Sequence, residues 1–322
     1  MSANEVLNSR EYGSFRSSVP LKKIVVDSNG TEWTFFDTGP KEITTPLVLL
    51  PPLGGTADVF FRQLLFLGSL GYRLIAVQYP ILWNLEEFCH SFLQFINTLN
   101  LNKIHLFGAS LGGFLALKFA EVTEKNKIVA SFILNNSFID TRVVRKNAPA
   151  KSYWIMPSFL LKKIISKTIE ESSEERHIKS SDEFMRLRMD SLSQGELACR
   201  LSLNASSSYV CYQIINNIPT TIIDVCDDSY LSQQCKDDIY QAFPDAKKAF
   251  IKSGGNFPFL SRSPEINMHI QIHLRQFSEG PLSPLVTPTS IIKEQGDKEN
   301  SRLNDISSEE ISERNSSTSL ND

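Results

Sequence analysis

The chain has 322 residues, of which 41% are apolar, and its 33 basic and 36 acidic residues give a formal net charge of −3. This length and apolar content suffice to bury one large core or two smaller ones, so the composition predicts a globular protein. Because the charges nearly balance, there is no broad cationic field, which disfavours binding to nucleic acid or to an anionic membrane through bulk electrostatics.

Neither the N-terminal stretch nor the cysteines indicate an exported or metal-binding protein. Residues 1–19 are polar and charged without the apolar core of a signal peptide, and nothing downstream approaches a run of about eighteen apolar residues. The five cysteines are odd in number and lie far apart, without C-x-x-C or metal-ligand spacing. We therefore expect a cytoplasmic protein with reduced thiols, no metal and no cofactor.

Strand and helix patterns alternate through the first half of the chain. Short β-prone segments lie at 21–26, 33–36, 47–50, 74–77, 104–107 and 128–134, and those at 47–50 and 74–77 are continuously apolar, as buried parallel strands tend to be. Helical patterns lie between them at 57–70, 84–99 and 111–122. This regular alternation predicts an α/β fold with a doubly wound, mostly parallel sheet.

The alternation stops after Asn136 and resumes at Pro219. Residues 138–208 are charge-rich and helix-prone, with helices predicted at 160–165, 170–176 and 182–192, and we interpret them as an inserted helical cap. A strand at 219–225, a helix at 231–242, a strand at 247–252 and a helix at 264–277 then complete the predicted sheet.

The C-terminal composition changes to Pro, Ser, Thr, Asn and charge. From Pro281 onward eight acidic and four basic residues give 4 − 8 = −4, which leaves −3 − (−4) = +1 on the rest of the chain. Such a segment cannot bury a core, so we predict an N-terminal extension at 1–19, one folded domain at 20–278 and a disordered acidic, Ser-rich tail at 279–322. A regulated docking segment is the alternative interpretation of the tail.

The motif Gly108-Ala109-Ser110-Leu111-Gly112 matches G-x-S-x-G. It follows the apolar strand ending at Phe107 and precedes a helix, which is the strand–turn–helix context of a nucleophile elbow. Gly108, Gly112 and Gly113 suit this turn because larger side chains would clash with the adjoining strand and helix. A plain tight turn in a Rossmann-like βα unit is the alternative interpretation.

An elbow serine also needs two N–H donors for the oxyanion that forms during acyl transfer. The N–H of Leu111 is well placed as one donor, and Leu53, in the turn after the third strand, is the expected second. Hydrolases commonly have His-Gly at this turn, whereas Pro51 and Pro52 stand here and narrow the backbone conformations, which puts the shape of the oxyanion hole in question. We expect Leu53 and Leu111 to line a pocket over Ser110.

The other partners of a catalytic serine are an orienting carboxylate and then a histidine base. Asp227 and Asp228 follow the strand at 219–225, where the carboxylate belongs, although a turn or cap role explains them equally well. The loop after the last strand places Asn256 where the histidine belongs. An amide accepts no proton near neutral pH, so Asn256 can hydrogen-bond Ser110 without activating it.

The five histidines offer no evident replacement for the base. His105 lies in the strand before the elbow, His90 on the preceding helix and His177 in the cap, and only His177 could swing into the pocket. His269 and His273 share a helix face, but no glutamate lies between them as in H-E-x-x-H and no third ligand is evident, so we predict no metal site there.

Four longer stretches resemble the maspardin family of the α/β-hydrolase superfamily, and the likeness runs from about residue 19 to residue 277. The stretches are 20–24 (PLKKI), 55–63 (GTADVFFRQ), 105–114 (HLFGASLGGF) and 254–258 (GGNFP). The resemblance implies the α/β-hydrolase fold, with the family's elbow serine at Ser110 and its asparagine in place of the base at Asn256. This chain departs from the family around 141–150 and 170–178 and after Glu279.

The resemblance also implies a role. Maspardins are regarded as hydrolase-fold proteins without demonstrated hydrolase activity, so it implies a non-catalytic binding protein. It further implies an intracellular location in the cytosol and, peripherally, on endosomal and trans-Golgi membranes. The implied partners are the short cytoplasmic tail of a T-cell co-receptor and an aldehyde-dehydrogenase-like protein.

Two hypotheses for function follow. The first is an adaptor whose pocket over Ser110 binds a hydrophobic peptide end or lipid-like group without cleaving it. The alternative is a slow serine esterase or thioesterase that uses Ser110, Asp227 or Asp228, and an unconventional base, either His177 or a water held by Asn256. Membrane recruitment has no evident cause in the sequence, since no lipidation motif or polybasic segment is visible.

Overall fold

A computed structural model describes residues 5–144, 150–169, 174–227 and 229–285 of the chain. The first of the two units into which the chain divides comprises residues 1–284. The predicted tail beyond residue 285 lies outside the described residues, as does the candidate acid Asp228. Among the described residues no helix is long and apolar enough to cross a membrane. The predicted domain boundaries stay predictions.

One eight-stranded sheet forms the centre of the first unit. Its strands are β1 Lys22–Val25, β2 Glu32–Thr38, β3 Leu47–Leu50, β4 Leu74–Gln78, β5 Ile104–Ala109, β6 Val129–Asn135, β7 Thr220–Val225 and β8 Lys247–Ile251. They lie in the order β1-β2-β4-β3-β5-β6-β7-β8, with β2 antiparallel to both β1 and β4 and every other pair parallel. The predicted α/β fold with a mostly parallel sheet is confirmed.

The central strands explain why so much of the sequence is apolar without alternation. Every residue of β3, β5 and β7 is buried, as parallel strands covered on both faces must be. Because β3, β5, β6 and β7 are parallel, their carboxyl ends meet at one edge of the sheet. The loops that follow these four strands therefore come together, which is where ligands bind in open α/β sheets.

Eleven α-helices lie in the described residues: α1 Arg10–Ser18, α2 Phe61–Ser69, α3 Leu85–Thr98, α4 Leu111–Val122, α5 Thr141–Val144, α6 Ser158–Ser166, α7 Arg176–Asp190, α8 Gln194–Ala205, α9 Gln233–Ala242, α10 Pro258–Ser261 and α11 Ser263–Leu274. Short 3-10 helices lie at Ala57–Phe60, Glu124–Asn126, Ala150–Ile155, Tyr212–Ile214 and Arg275–Phe277. α2 packs against α1 and α11, whereas α3 packs against α4. The helices thus form separate groups, as a doubly wound sheet requires.

The segment between β6 and β7 forms the predicted helical cap, with α6, α7 and α8 as its main helices. The helix predicted at 170–176 is wrong in its described part, because Glu175 has extended backbone and its carboxylate binds Arg262. α7 instead starts at Arg176, earlier than the predicted start at 182. α8 was left unassigned, although Ser193 and Glu196 form a capping box at its start.

The N-terminal stretch contains a helix, α1, that its polar sequence did not suggest. Phe15 is fully buried and packs on Phe36, with ring centroids 4.8 Å apart. The hydroxyl of Tyr12 donates to the carboxylate of Asp58 at 2.6 Å, and Arg188 of α7 donates to the same carboxylate at 3.0 Å. α1 is therefore tied both to the sheet domain and to the cap.

Candidate active site

Ser110 lies in the sharp turn between β5 and α4. Its backbone has φ 50° and ψ −115°, and its N–H donates to the carbonyl of Asn135 at 3.0 Å. A positive φ is strained for any residue with a side chain, and such strain is concentrated at functional sites. This geometry is that of a nucleophile elbow.

Three glycines make this turn possible. A Cβ on Gly108 would lie 2.4 Å from the Cα of Gly113, and one on Gly112 would lie 2.2 Å from the carbonyl oxygen of Leu50. A Cβ on Gly113 would lie 1.9 Å from the hydroxyl of Ser137. Since backbone atoms surround two of these positions, no side chain fits without moving β3, β5 or α4.

Two N–H groups next to the elbow have no protein acceptor among the described residues. Within the described residues, neither the N–H of Leu53 nor that of Leu111 donates to another group of the protein. Leu53 lines the cavity at the elbow, while the side chain of Leu111 is fully buried and does not line it. Both donors of the predicted oxyanion hole thus remain available, with the backbone of Leu111 rather than its side chain at the site.

The turn from Pro51 to Gly55 is held by hydrogen bonds to its carbonyls. The hydroxyl of Tyr79 donates to the carbonyl of Pro51 at 3.1 Å, and the N–H of Gly55 donates to that of Pro52 at 2.9 Å. A Cβ on Gly55 would lie 2.9 Å from the ring of Pro52. The two prolines therefore shape a tight turn that requires glycine at position 55.

Arg200 of α8 supports the same turn and was missed in the sequence. Its guanidinium is fully buried, donates to the carbonyls of Leu53 (at 3.4 Å) and Gly55, and stacks 4.8 Å from the ring of Tyr79. Its Nε and Nη2 have no acceptor in the part of the chain that the structure describes. An arginine within the apolar run of α8 gives no signal that it is buried, because long cationic side chains are usually exposed.

Asp227 lies directly after β7, and its carboxylate holds the loop that contains Asn256. Its Oδ2 accepts the N–H groups of Gly254 at 2.9 Å and Gly255 at 3.1 Å, and its buried Oδ1 has no hydrogen-bond partner among the described residues. The loop needs glycine there, since Gly255 has φ 63°. Asp227 thus stands where an orienting acid would stand, with one oxygen unused.

Asn256 bridges two loops instead of serving Ser110 as a base. Its Oδ1 accepts the N–H of Tyr230 at 2.7 Å, and its main-chain carbonyl accepts the Nδ2 group of Asn136 at 3.4 Å. Because the N–H of Tyr230 requires an acceptor, this bond fixes the orientation of the amide and leaves its Nδ2 group as the other polar end. That group donates hydrogen bonds and takes up no proton.

The cavity at the elbow is small, and the described residues that line it carry no charge. It has a volume of about 30 Å³, room for about two water molecules. Neutral side chains supply its polar lining: Ser110, Asn136, Thr168, Asn204, Ser229 and Asn256. Within the described part of the chain no histidine lines it.

Asn136 is a second residue of the site that the sequence analysis did not single out. It follows β6 with φ 43°, and its Nδ2 group donates to the carbonyls of Gly255 at 3.3 Å and Asn256 at 3.4 Å. The available signal was its type and position, because asparagine tolerates left-handed backbone and this one directly follows a buried strand.

Known proteins resemble this chain along most of its length. The family model described as alpha/beta hydrolase fold matches residues 45–263. Maspardin of Danio rerio is 47% identical over 307 residues, covering 95% of this chain and 98% of its own length. Maspardin of Homo sapiens is 48% identical over 292 residues, covering 90% of this chain and 94% of its own length. The chain belongs to the maspardin family.

Solved structures similar to this maspardin-family chain are hydrolase-fold proteins. A bromoperoxidase from Bacillus anthracis has a TM-score of 0.64 at 19% identity, covering 80% of this chain and 100% of its own. A thermophilic esterase from Thermogutta terrifontis has a TM-score of 0.63 at 19% identity, covering 80% and 98%. At such identities the likeness shows the fold alone, and the predicted α/β-hydrolase fold is confirmed.

The histidines of this maspardin-family protein lie away from the elbow. His177 is exposed at the start of α7 and does not line the cavity, and His90 is exposed on α3. His273 is buried and hydrogen-bonds Ser131 and Thr221. In the described residues no group of three or more His, Cys, Asp or Glu side chains could hold a metal ion.

Proposed function

We propose that this maspardin-family protein is non-catalytic and acts by binding other proteins. The observation that carries the proposal is the amide of Asn256, which occupies the position of the base and is held by the N–H of Tyr230 at 2.7 Å. Without a base the hydroxyl of Ser110 keeps its proton. In model proteases the loss of a triad member leaves only about 10³–10⁴-fold catalysis over water.

The small cavity bears on where partners bind. A pocket for a drug-sized ligand is typically about 300–1,000 Å³, whereas the space above Ser110 is about 30 Å³. A hydrophobic peptide end or lipid-like group would enter only if the cap residues Thr168 and Ile169, which line this space, moved outward. The proposal therefore assigns protein partners to the outer surface and reserves the pocket for a small hydrophobic group.

The partners and locations implied by the family are part of this proposal. They are the cytoplasmic tail of a receptor, an aldehyde-dehydrogenase-like protein, and a cytoplasmic location with peripheral association with endosomal and trans-Golgi membranes. An affinity purification from cells with the full chain as bait, and with residues 1–284 as the matched control, tests them. Enrichment of neither partner over an unrelated hydrolase-fold bait would count against this part of the proposal.

A slow esterase or thioesterase is the second candidate, because the strained Ser110 and the free N–H groups of Leu53 and Leu111 are what such an enzyme needs. The exposed position of His177 removes it as the base in this conformation. A water next to Asn256 would have to take the proton, oriented by the unused oxygen of Asp227.

A fluorophosphonate probe separates the two candidates, since it reacts only with activated serines. We expect no labelling of the purified full chain at neutral pH above that of the matched variant Ser110→Ala. Rapid labelling that disappears in Ser110→Ala would contradict the non-catalytic proposal and support the esterase.

A further inference from the structure

Four large apolar side chains that lie close together in the sequence of the cap are exposed. Trp154 and Ile155, at the end of a 3-10 helix, are 64% and 63% exposed, and Phe159, in the first turn of α6, is 69% exposed. Leu160 beside it is 39% exposed. Isolated exposed apolar residues are normal, but a cluster of this kind marks an interaction site. We refer to these four residues as the cap tip.

The cap tip is anchored from behind. On the inner side of the same segment Tyr153, Leu161 and Ile165 are buried. The side chain of Gln194, at the start of α8, donates to the carbonyls of Trp154 at 2.9 Å and Met156 at 3.1 Å. The outer side chains thus contribute little to the core, yet the backbone that carries them is fixed.

The charged residues in the segment that carries the cap tip are all basic. Residues 150–169 contain four lysines and no acidic residue, in a chain with a net charge of −3. Lys163 and Lys167 follow Phe159 at helical spacing (i+4 and i+8), both are exposed, and neither has a carboxylate partner among the described residues. Lys162, in contrast, pairs with Asp190 at 3.1 Å. The exposed Phe159 is therefore followed, one and two helical turns further along, by two lysines that have no carboxylate partner among the described residues.

We propose that the cap tip docks this protein on an anionic lipid bilayer, with Trp154 and Phe159 in the interfacial region and Lys163 and Lys167 among the headgroups. Indole and phenyl rings favour the bilayer interface, and lysines beside them attract acidic lipids. The charge is local, so it needs no basic character of the whole chain. The inference rests on the membrane association in the proposed function and names the surface that makes it, while it is independent of chemistry at Ser110.

Vesicle sedimentation with the full chain tests the lysines. Vesicles of phosphatidylcholine are compared with vesicles that contain about a quarter phosphatidylserine. On the acidic vesicles each lysine near the surface should raise the affinity about fivefold. We expect binding to the acidic vesicles that weakens with salt, and at least about twentyfold weaker binding by Lys163→Glu/Lys167→Glu. The matched variant Lys125→Glu/Lys252→Glu, with the same charge change at two other exposed lysines, should lose far less.

A second pair of variants tests the aromatic residues. Trp154→Ala/Phe159→Ala should weaken binding by at least about tenfold, whereas Phe66→Ala/Phe250→Ala, which removes two exposed rings elsewhere, should leave it unchanged. A Trp83→Phe background leaves two tryptophans, the exposed Trp154 and the buried Trp33. Its emission should shift to the blue when acidic vesicles are added, and brominated lipids should quench it.

Three results would overturn the proposal. One is equal binding of neutral and acidic vesicles, or none to either. Another is unchanged binding by Trp154→Ala/Phe159→Ala. The third is a dimer of the full chain, present without lipid and lost in Trp154→Ala/Phe159→Ala, which would assign the cap tip to a second copy of the protein.

Discussion

Ser110 retains a costly backbone conformation although no histidine lines the cavity beside it. With φ 50° it occupies a region that costs a residue with a side chain about 1–3 kcal/mol. The fold imposes this conformation, because Gly108, Gly112 and Gly113 allow β3, β5 and α4 to approach one another at distances that leave no room for adjustment. The strain is thus a property of the elbow itself.

Ser110→Gly should therefore stabilise the protein. Glycine adopts positive φ without strain, and after subtraction of its greater unfolded-state entropy the gain should be about 1 kcal/mol. Ser110→Ala keeps a Cβ and is the matched control, with an expected change near zero. Urea unfolding of the three proteins measures the difference, and equal midpoints would show that the elbow stores no strain.

Asn256→His should raise the reactivity of Ser110. The buried Oδ1 of Asp227 has no partner and could accept the Nδ1–H of a histidine at position 256, while the N–H groups of Leu53 and Leu111 are free. A positioned general base typically contributes about 10²–10⁴-fold, so we expect at least a tenfold faster fluorophosphonate labelling.

The control for this gain is Asn256→His in a Ser110→Ala background, which should not be labelled. If Asn256→His alone labels no faster than the natural chain, the turn at Pro51-Pro52 is the more serious obstacle, because it then fails to present the Leu53 N–H to the oxyanion.

Sequence reasoning located Ser110, Asp227 and Asn256 because each follows a strand whose apolar pattern is visible. It missed Arg200 and Asn136, whose roles depend on which loops meet in space. A buried arginine that donates to two carbonyls has the same local sequence as one on a surface. Such positions are set by tertiary packing, and no local period reports them.

At the scale of elements, a buried chain of hydrogen bonds joins β5, β6, β7 and α11. The carbonyl of Leu282 must accept from Nε2 of His105 at 2.8 Å, so the Nδ1 of a neutral His105 accepts from the hydroxyl of Ser131 at 2.7 Å. Ser131 then accepts from Nε2 of His273, whose Nδ1 accepts from Thr221, each at 2.7 Å. With both imidazole rings neutral, each donor in this chain has one acceptor. A second proton on either ring would replace an acceptor nitrogen by a donor and break one of these hydrogen bonds.

Stability should therefore decrease in mild acid. Burial lowers the pKa of His105 from 6.5 to about 4 and that of His273 to about 3. The unfolded chain binds protons below pH 6.5 while the folded chain does not until about pH 4, so unfolding becomes easier as the pH falls through that window. For His105 alone the loss should reach about 3 kcal/mol by pH 4.

His105→Gln tests this cause, since its amide can donate to Leu282 and accept from Ser131 without titrating. Urea unfolding between about pH 4.5 and pH 7 should show a shallower pH dependence than in the natural chain. His90→Gln, at an exposed histidine, should keep the natural slope. A slope that His105→Gln leaves unchanged would assign the acid sensitivity to other groups.

Elements were predictable in proportion to the regularity of their apolar pattern. β3 and α4 have the bounds that the sequence predicted, because a continuous apolar run marks β3 and the glycine-containing turn before Leu111 marks the start of α4. α1 has only two buried residues, Tyr12 and Phe15, within a polar stretch. Its stability comes from contacts with distant residues, so nothing local distinguished it from a loop.

At the scale of the whole molecule, the proposed function separates the fold from catalysis. The sheet order and the elbow agree with a hydrolase, while Asn256 stands at the position predicted for the base and the cavity has room for about two waters. Fold alone does not imply activity. Under the proposed non-catalytic function we expect the distinguishing features to lie on the surface, and the cap and the last residues of the first unit are additions to the sheet domain.

The last residues of the first unit test where the folded domain ends. Composition placed the domain boundary at 278, yet three later carbonyls bind the sheet domain: that of Pro281 accepts from Thr45 at 3.1 Å, that of Leu282 from His105 at 2.8 Å and that of Pro284 from the N–H of Arg73 at 2.9 Å. Each such bond contributes about 0.5–1.5 kcal/mol, and each donor left unpaired in a buried site costs more.

A chain that ends at residue 278 should therefore unfold about 2–4 kcal/mol more easily than one that ends at residue 284, whereas removing only 285–322 should change little. Urea unfolding at pH 7 of the full chain and of both truncated chains measures this. Equal stability of the two truncated chains would place the boundary at 278, where the composition changes, and would make residues 279–284 dispensable to the fold.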